Sequence, residues 1–142
     1  AAARISKGLE EKLYLGNLDA RRDWGHAKDF VEGMWLMLQQ DTPDDYVLAT
    51  GTQASVRDFT QLSFSEVGIT LKWEGEDEDE KAICTETGRT IVETDPRYYR
   101  PSEVDTLVGN ASKAENVLGW KASTTWQELC LEMVTSDLAE IN

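Results

Sequence analysis

Apolar residues recur at helical spacing in three stretches of the chain. The first stretch carries Ala27, Phe30, Val31, Met34 and Leu38, and it predicts a helix. This helix should stop near residues 41–43 because the residue before a proline avoids helical backbone. A second helix is predicted from a cap at Ser55 to Gly68. A third should start near Thr124 or Thr125 and present the apolar residues Trp126, Leu129, Cys130, Met133, Val134, Leu138 and Ile141.

Two shorter helices are predicted at other places in the chain. Residues 1–8 resemble the last turns of a helix that ends at Gly8. This helix has no N-terminal cap, so we expect that it is cut in the middle and that the chain is a piece of a longer protein. Residues 112–115 form a capping-box pattern, and Gly119 should end the short helix that follows.

Several short apolar runs predict strands between these helices. Residues 13–15 form one, and residues 46–50 form a continuous apolar run that is typical of a sheet covered on both faces. Residues 69–73 alternate between apolar and polar, and residues 82–84 and 90–92 flank a turn at Gly88. The acidic residues 74–81 between them are interpreted as a solvated, mobile loop without calcium-loop spacing. The order of elements predicts an α/β fold with short strands and covering helices.

Composition and charge narrow the classes of function. The 142 residues suit one domain, and 27 acidic against 14 basic residues give a net charge of −13. Such a chain is repelled by nucleic acid and by anionic membranes, and no apolar run approaches the roughly 20 residues of a membrane helix. Cys84 and Cys130 lie far apart, which favours free thiols and a cytoplasmic protein and excludes a cysteine metal site.

The loop at residues 17–26 is the first candidate for chemistry. It leads from a strand to a helix, where α/β proteins place ligands, and Arg22 can hold a diphosphate in a fork geometry. Asp23 can orient this arginine or cap the helix. The alternative is purely structural, with Arg22 and Asp23 paired and Trp24 packed. His26 is best explained by a local hydrogen bond at the start of the helix.

A second candidate lies at residues 97–103, where Arg97 and Arg100, two tyrosines and Glu103 stand together. Arginine suits phosphate, a tyrosine ring suits a base or a sugar, and a carboxylate accepts hydrogen bonds from sugar hydroxyls. The alternative is an amphipathic loop that covers the core. The stripe of Phe30, Met34 and Trp35 indicates core or interface rather than a ligand site.

Other motifs that would carry catalysis are missing from these residues. There is no Gly-x-Gly-x-x-Gly fingerprint, no phosphate loop and no Tyr-x-x-x-Lys pair. No Ser/His/Asp set can be assigned either. The sequence therefore predicts no catalytic residue, no metal ligand and no cofactor site in this chain.

The chain nevertheless resembles a family in nearly all of its length. Residues 13–30, with Arg22-Asp23-Trp24-Gly25-His26, closely resemble the signature stretch of GDP-mannose 4,6-dehydratases, which are extended short-chain dehydrogenase/reductase proteins. Residues 34–39, 49–51, 55–57, 97–107, 113–114 and 118–121 continue the resemblance in register, whereas residues 76–94 match loosely.

The resemblance implies a two-part, NADP-dependent lyase that converts GDP-mannose to GDP-4-keto-6-deoxymannose and forms a homo-oligomer. Residues 1–142 would be its C-terminal nucleotide-sugar-binding part, with the N-terminal Rossmann part, which binds NADP, absent. The fold expected is thus the small substrate-binding domain of an extended Rossmann-type enzyme.

The resemblance also implies roles for particular residues. Arg22 and Arg100 would meet the diphosphate of GDP-mannose or GDP, and Glu103 would meet a ribose hydroxyl. The chain alone is expected to be inactive. The alternative is a non-catalytic binding or assembly module that uses the surface left uncovered by the Rossmann part.

Overall fold

The computed structural model describes residues 1–100 and 108–141, and it confirms a mixed α/β fold with short strands. The helices in this part of the chain are α1 (Ala2–Ser6), α2 (Ala27–Leu38), α3 (Val56–Glu66), α4 (Ser112–Leu118) and α5 (Trp126–Glu140). The strands are β1 (Leu13–Leu15), β2 (Arg21–Arg22), β3 (Ala54–Ser55), β4 (Leu71–Glu74), β5 (Lys81–Cys84) and β6 (Thr90–Thr94). Short 3₁₀ turns lie at Asp77–Asp79 and Pro96–Tyr98.

The strands form two small sheets. The larger sheet has the order β1-β6-β5-β4, in which β1 runs parallel to β6 and the other neighbours are antiparallel. The smaller sheet pairs β2 with β3, and β2 lies within residues 17–26, which the sequence predicts to be a loop. One core cluster lies where α1 and α3 pack on the larger sheet, and its buried members include Phe64, Leu71, Ala82 and Val92.

Capping side chains start two of the predicted helices. Ser55 and Asp58 form a capping box at α3, and Thr125 and Glu128 form another at α5, so both predicted starts are confirmed. The capping box predicted at Ser112 is wrong. Ala111 holds the cap position of α4, and the Ser112 hydroxyl donates to Asn110 Oδ1 at 2.6 Å, so this serine is occupied by a local turn instead.

The strand predicted at residues 46–50 is also wrong. This stretch pairs with no described strand, and the Thr50 amide donates to the Asp23 carboxylate at 3.0 Å. Its apolar side chains pack instead between helices, since a Cβ placed on Gly33 of α2 would lie 2.7 Å from Leu48 Cδ1. Leu48 belongs to a second core cluster built on Ala114, Leu118 and Trp120. The continuous apolar run therefore indicates here that most of its residues are at least partly buried, but not that they pair with a strand.

The apolar stripe of α2 divides between the core and the surface. Phe30 packs against Trp120 with ring centroids 5.8 Å apart. Met34 and Trp35 remain 56% and 59% exposed, and Val31 and Leu38 are exposed as well. The outward face of α2 is thus unusually apolar, which favours an interface for these residues rather than the core.

Candidate functional site

The parallel pair β1 and β6 brings the two candidate segments to one edge of the sheet. Parallel strands have their carboxyl ends at the same edge, and β1 is followed by the segment that carries Arg22 while β6 is followed by the segment that carries Arg100. The Asp95 amide donates to the Leu15 carbonyl at 2.8 Å, which extends the pairing beyond the last ladder residue.

The two segments touch just beyond the strands. A Cβ placed on Gly16 would lie 2.3 Å from the Tyr98 carbonyl oxygen, so only a residue without a side chain allows this approach. The loop before Arg22 therefore lies directly against the segment that leads to Arg100. The sequence shows a glycine here, but it does not show what the glycine faces.

Arg22 lies on the short strand β2, which pairs antiparallel with β3. It stands opposite Ala54 and is half-buried, and its Nη1 donates to the Arg21 carbonyl at 2.7 Å. The Val56 amide donates to the Ala20 carbonyl at 3.1 Å, which ties the strand to the start of α3. The backbone around Arg22 is therefore set by β3 and α3.

Asp23 takes neither of the two roles that the sequence suggests for it. Its two carboxylate oxygens accept from the Thr50 and Gly51 amides, each at 3.0 Å. Gly51 has a φ of 73°, so these adjacent amides stand in a turn that suits glycine. Asp23 thus fixes the turn at residues 50–51 against the loop of Arg22. The ring nitrogen of Trp24 donates to the Ala54 carbonyl at 3.1 Å, and the ring packs on Phe59. Trp24 is thus packed, as the structural alternative for this loop predicts.

His26 supplies the cap of α2, as predicted. Its Nδ1 accepts from the Lys28 amide at 3.0 Å, so the proton of a neutral ring lies on Nε2. Nε2 stands 3.2 Å from Glu132 Oε1 on α5. The histidine therefore joins two helices.

Arg97 and Arg100 differ in their availability to a ligand. Arg97 Nη2 lies 2.5 Å from Asp95 Oδ2, and this pairing lowers the pKa of Asp95 and raises that of Arg97. Arg100 is exposed at the end of the described segment. Glu103 lies outside the described residues. Of the two arginines in this segment, Arg97 is already paired with a carboxylate.

A group that sequence reasoning missed surrounds Arg57 near the start of α3. Its Nε and Nη2 donate to the two oxygens of Glu80 at 2.8 and 2.6 Å, and its Nη1 donates to Asp19 at 2.5 Å. The two hydrogen bonds to Glu80, followed by the one to Asp19, raise the pKa of Arg57. Glu80 is only 6% exposed, so the interpretation of residues 74–81 as a solvated loop is wrong at this position. No local signal could reveal a pair between residues 23 positions apart.

Side chains cap the N-termini of the three long helices. His26, Ser55 and Thr125 each accept from one first-turn amide, in α2, α3 and α5 respectively. Within residues 1–100 and 108–141, the starts of these helices are therefore fixed by local side chains. In the same part of the chain, no helix is both long and apolar enough to cross a membrane.

Comparison with known proteins gives a consistent family relation. The family model described as GDP-mannose 4,6 dehydratase matches residues 1–133. The chain is 56% identical over 139 residues to the GDP-mannose 4,6-dehydratase of Sinorhizobium fredii, covering 98% of the chain and 40% of that protein. It is 52% identical over 138 residues to the Homo sapiens GDP-mannose 4,6 dehydratase, covering 97% of the chain and 37% of that protein.

Solved structures show the same fold at lower identity. The structure of RMD from Pseudomonas aeruginosa complexed with NADPH has a TM-score of 0.74 and 17% identity, over 98% of this chain and 40% of that one. The UDP-glucose 4-epimerase from Bifidobacterium longum in complex with NAD+ and UDP has a TM-score of 0.68 and 20% identity, over 99% of this chain and 38% of that one. The chain spans about 40% of the length of its curated relatives.

Proposed function

Since the chain belongs to the GDP-mannose 4,6-dehydratase family, we propose that residues 1–142 form the part of such an enzyme that binds the nucleotide sugar. The ligand is GDP-mannose or GDP. Arg22 and Arg100 bind the diphosphate, and Glu103 accepts from a ribose hydroxyl. The observation that carries this proposal is the parallel pair β1 and β6, which directs both arginine segments to one edge of the sheet.

Because the chain is strongly acidic, GDP binding should depend on Arg22 and Arg100. A net charge of −13 repels a diphosphate, so binding depends on short-range hydrogen bonds that outweigh the overall field. One charged contact contributes about 1.5–3 kcal/mol. We expect a Kd between about 0.1 and 5 mM, because ordering the loop offsets part of the gain.

Titration of the chain with GDP, followed by calorimetry or NMR, tests the proposal. Arg100→Ala should weaken binding about tenfold or more, and Arg100→Lys should recover only part of the loss, because lysine cannot make the planar two-point contact. Arg89→Ala is the matched control, since this exposed arginine precedes β6 at the opposite edge of the sheet. Equal losses of affinity in Arg100→Ala and Arg89→Ala would show that only the net charge of the chain matters, not a contact made by Arg100. No response to millimolar GDP would refute binding by this chain.

Catalysis is assigned by this proposal to the complete enzyme and not to these residues alone. The hydride chemistry there is supplied by NADP, which we place in the part of the family's length that this chain does not span. The chain binds the nucleotide sugar and orients its diphosphate. We expect no conversion of GDP-mannose by the isolated chain, and detection of the 4-keto-6-deoxy sugar by mass spectrometry would overturn this assignment.

A non-catalytic assembly module is the second candidate, and the outward face of α2 favours it. Val31, Met34, Trp35 and Leu38 are between 56% and 82% exposed and follow one another at helical spacing. Such a stripe suits burial against another chain. We propose the dinucleotide-binding part of the family as its occupant, because the chain spans about 40% of its relatives.

Co-sedimentation of the chain with the part of the Sinorhizobium fredii relative that it does not match tests this occupant. Trp35→Glu should abolish the complex, whereas Leu131→Glu should leave it intact, because Leu131 is 48% exposed on α5 instead. Equal loss in both variants, or no complex at all, would reject this occupant. Dimerisation of the chain alone that Trp35→Glu abolishes would assign the stripe to a second copy.

A further inference from the structure

The segment at residues 17–22, which presents Arg22, is anchored from one side by Arg57. The Arg57 amide donates to the Leu18 carbonyl at 2.9 Å, and its Nη1 donates to the Asp19 carboxylate at 2.5 Å. One residue thus holds both the backbone and a side chain of this segment. These contacts lie three and four residues before Arg22 in the chain.

Arg57 is itself fixed by the sheet. Glu80 binds the Arg57 Nε and Nη2 with both of its oxygens, and the Thr94 amide at the end of β6 donates to the Glu80 carbonyl at 3.0 Å. A buried carboxylate needs a paired cation and hydrogen bonds, and Arg57 supplies them. The guanidinium also lies over the ring of Trp73, 5.8 Å from its centroid.

Arg57 is therefore not arranged to bind a ligand directly. Each of its three guanidinium nitrogens donates to a carboxylate, two to Glu80 and one to Asp19. A diphosphate at this guanidinium would have to lie beside both carboxylates, whose negative charges repel it. The geometry suits a strut between the sheet and the loop of Arg22 better than a phosphate contact.

We propose that Asp19 and Arg57 are positioning residues, which hold the segment at residues 17–22 so that Arg22 meets the diphosphate. This inference rests on the proposed function, since it assigns the Asp19–Arg57 pair a role in the same site. Neither residue touches the ligand. Asp19 acts on Arg22 through three residues of backbone, and Arg57 acts through Asp19 and Leu18.

The sign of the effect separates positioning from electrostatics. Asp19 is an acidic side chain, 65% exposed, and its charge repels an anion. On charge alone, Asp19→Asn should strengthen GDP binding. Positioning requires the opposite result, because asparagine loses the charged hydrogen bond to Arg57 and releases the segment. Asp41→Asn, at an exposed aspartate after α2, controls for the removal of one negative charge.

A double-mutant cycle in the chain, read by GDP titration, tests the proposal. Asp19→Asn should weaken GDP binding by about twofold to tenfold, and it should have no effect in the Arg22→Ala background, because the segment then no longer presents Arg22 to the diphosphate. Asp19→Glu should restore part of the affinity by reaching Arg57 again. Stronger or unchanged binding by Asp19→Asn, or an equal loss in the Arg22→Ala background, would overturn the proposal.

Amide hydrogen exchange of the ligand-free chain decides the matter independently of GDP. The Val56 and Arg57 amides donate to the Ala20 and Leu18 carbonyls, so release of the segment should expose them. Their exchange should accelerate about tenfold in Asp19→Asn and stay unchanged in Asp41→Asn. Unaltered exchange in Asp19→Asn would overturn the positioning role. If the unmodified chain does not bind GDP, the proposed function is refuted. The exchange rates would still show whether Asp19 holds the segment at residues 17–22.

Discussion

Removing the buried carboxylate of Asp29 should lower the free energy of unfolding more than removing an exposed carboxylate. Asp29 lies in the first turn of α2 and is only 4% exposed. Its oxygens accept from the Ser123 amide at 3.1 Å, the Ser123 hydroxyl at 2.8 Å and the Thr124 amide at 2.9 Å. These bonds join α2 to the residues that lead into α5. The Asp29 carbonyl also accepts from the Trp120 ring nitrogen at 2.7 Å.

The magnitude follows from the three bonds to the carboxylate. Hydrogen bonds to a charged group contribute about 1.5–3 kcal/mol each, and the cost of burying the carboxylate offsets part of their sum. Asp29→Ala leaves the three donors without this acceptor, so we expect a loss of about 3–4 kcal/mol in the free energy of unfolding. Asp29→Asn keeps the size of the side chain and one acceptor oxygen, so about 2 kcal/mol is expected.

The same contacts predict a dependence on pH. Burial raises the pKa of Asp29, but the hydrogen bonds from Thr124 and Ser123 outweigh it, and the net pKa lies below the usual value. A lowered folded-state pKa means that the carboxylate stabilises the fold fully above its unfolded-state pKa, which is about 3.9. This contribution is lost as the pH falls through the lower folded-state pKa. The difference in stability between the unmodified chain and Asp29→Asn should therefore shrink as the pH falls from about 5 to 2.

Urea denaturation followed by tryptophan fluorescence measures these differences. Asp41→Asn is the control, because it removes an exposed aspartate just beyond the end of α2 and should change stability by less than about 0.5 kcal/mol. A loss below about 1 kcal/mol for Asp29→Ala would refute the reasoning that this carboxylate joins α2 to α5. A difference between the unmodified chain and Asp29→Asn that does not change between these pH values would refute the pKa argument.

Three further predictions follow from single contacts. Gly16→Ala should cost about 1–3 kcal/mol in urea denaturation, because its Cβ would lie 2.3 Å from the Tyr98 carbonyl oxygen, and an unchanged midpoint would contradict this approach. Thr125→Ala should cost about 1 kcal/mol through loss of the α5 cap, and Thr125→Ser should retain most of it; equal losses would argue against the cap. Cys130 is buried, and burial raises its pKa, so thiol labelling at pH 8 should be slow in the native chain and fast in urea, whereas rapid native labelling would show that the site opens.

The elements and the two candidate segments are largely encoded in local sequence. The starts of α3 and α5 follow from Ser55 with Asp58 and Thr125 with Glu128, because a capping box needs only residues three apart. The turn between β5 and β6 at Gly88 and the end of α4 at Gly119 follow from glycines, which adopt φ values of 68° and 66° there. These signals depend on neighbours in the chain, so composition and spacing reveal them.

The partners of these elements depend on contacts between distant residues. The apolar run at residues 46–50 looks like a strand, yet Leu48 packs between α2 and Trp120. Glu80 sits in an acidic run typical of a solvated loop, yet it is buried beneath Arg57. Periodicity reports that a residue is buried or exposed, but it does not name what covers it.

In the candidate site, too, the residue types follow from the local sequence and the arrangement depends on distant contacts. Sequence patterns pointed to the segments around Arg22 and Arg100 as separate candidates. Their shared edge arises from the parallel pairing of β1 with β6, and their contact arises from the approach of Gly16 to Tyr98. Strand pairing joins backbone groups that are far apart in the chain, and its register is set by burial of the whole sheet. The chemistry of the site is thus encoded in its residue types, whereas its geometry comes from long-range packing.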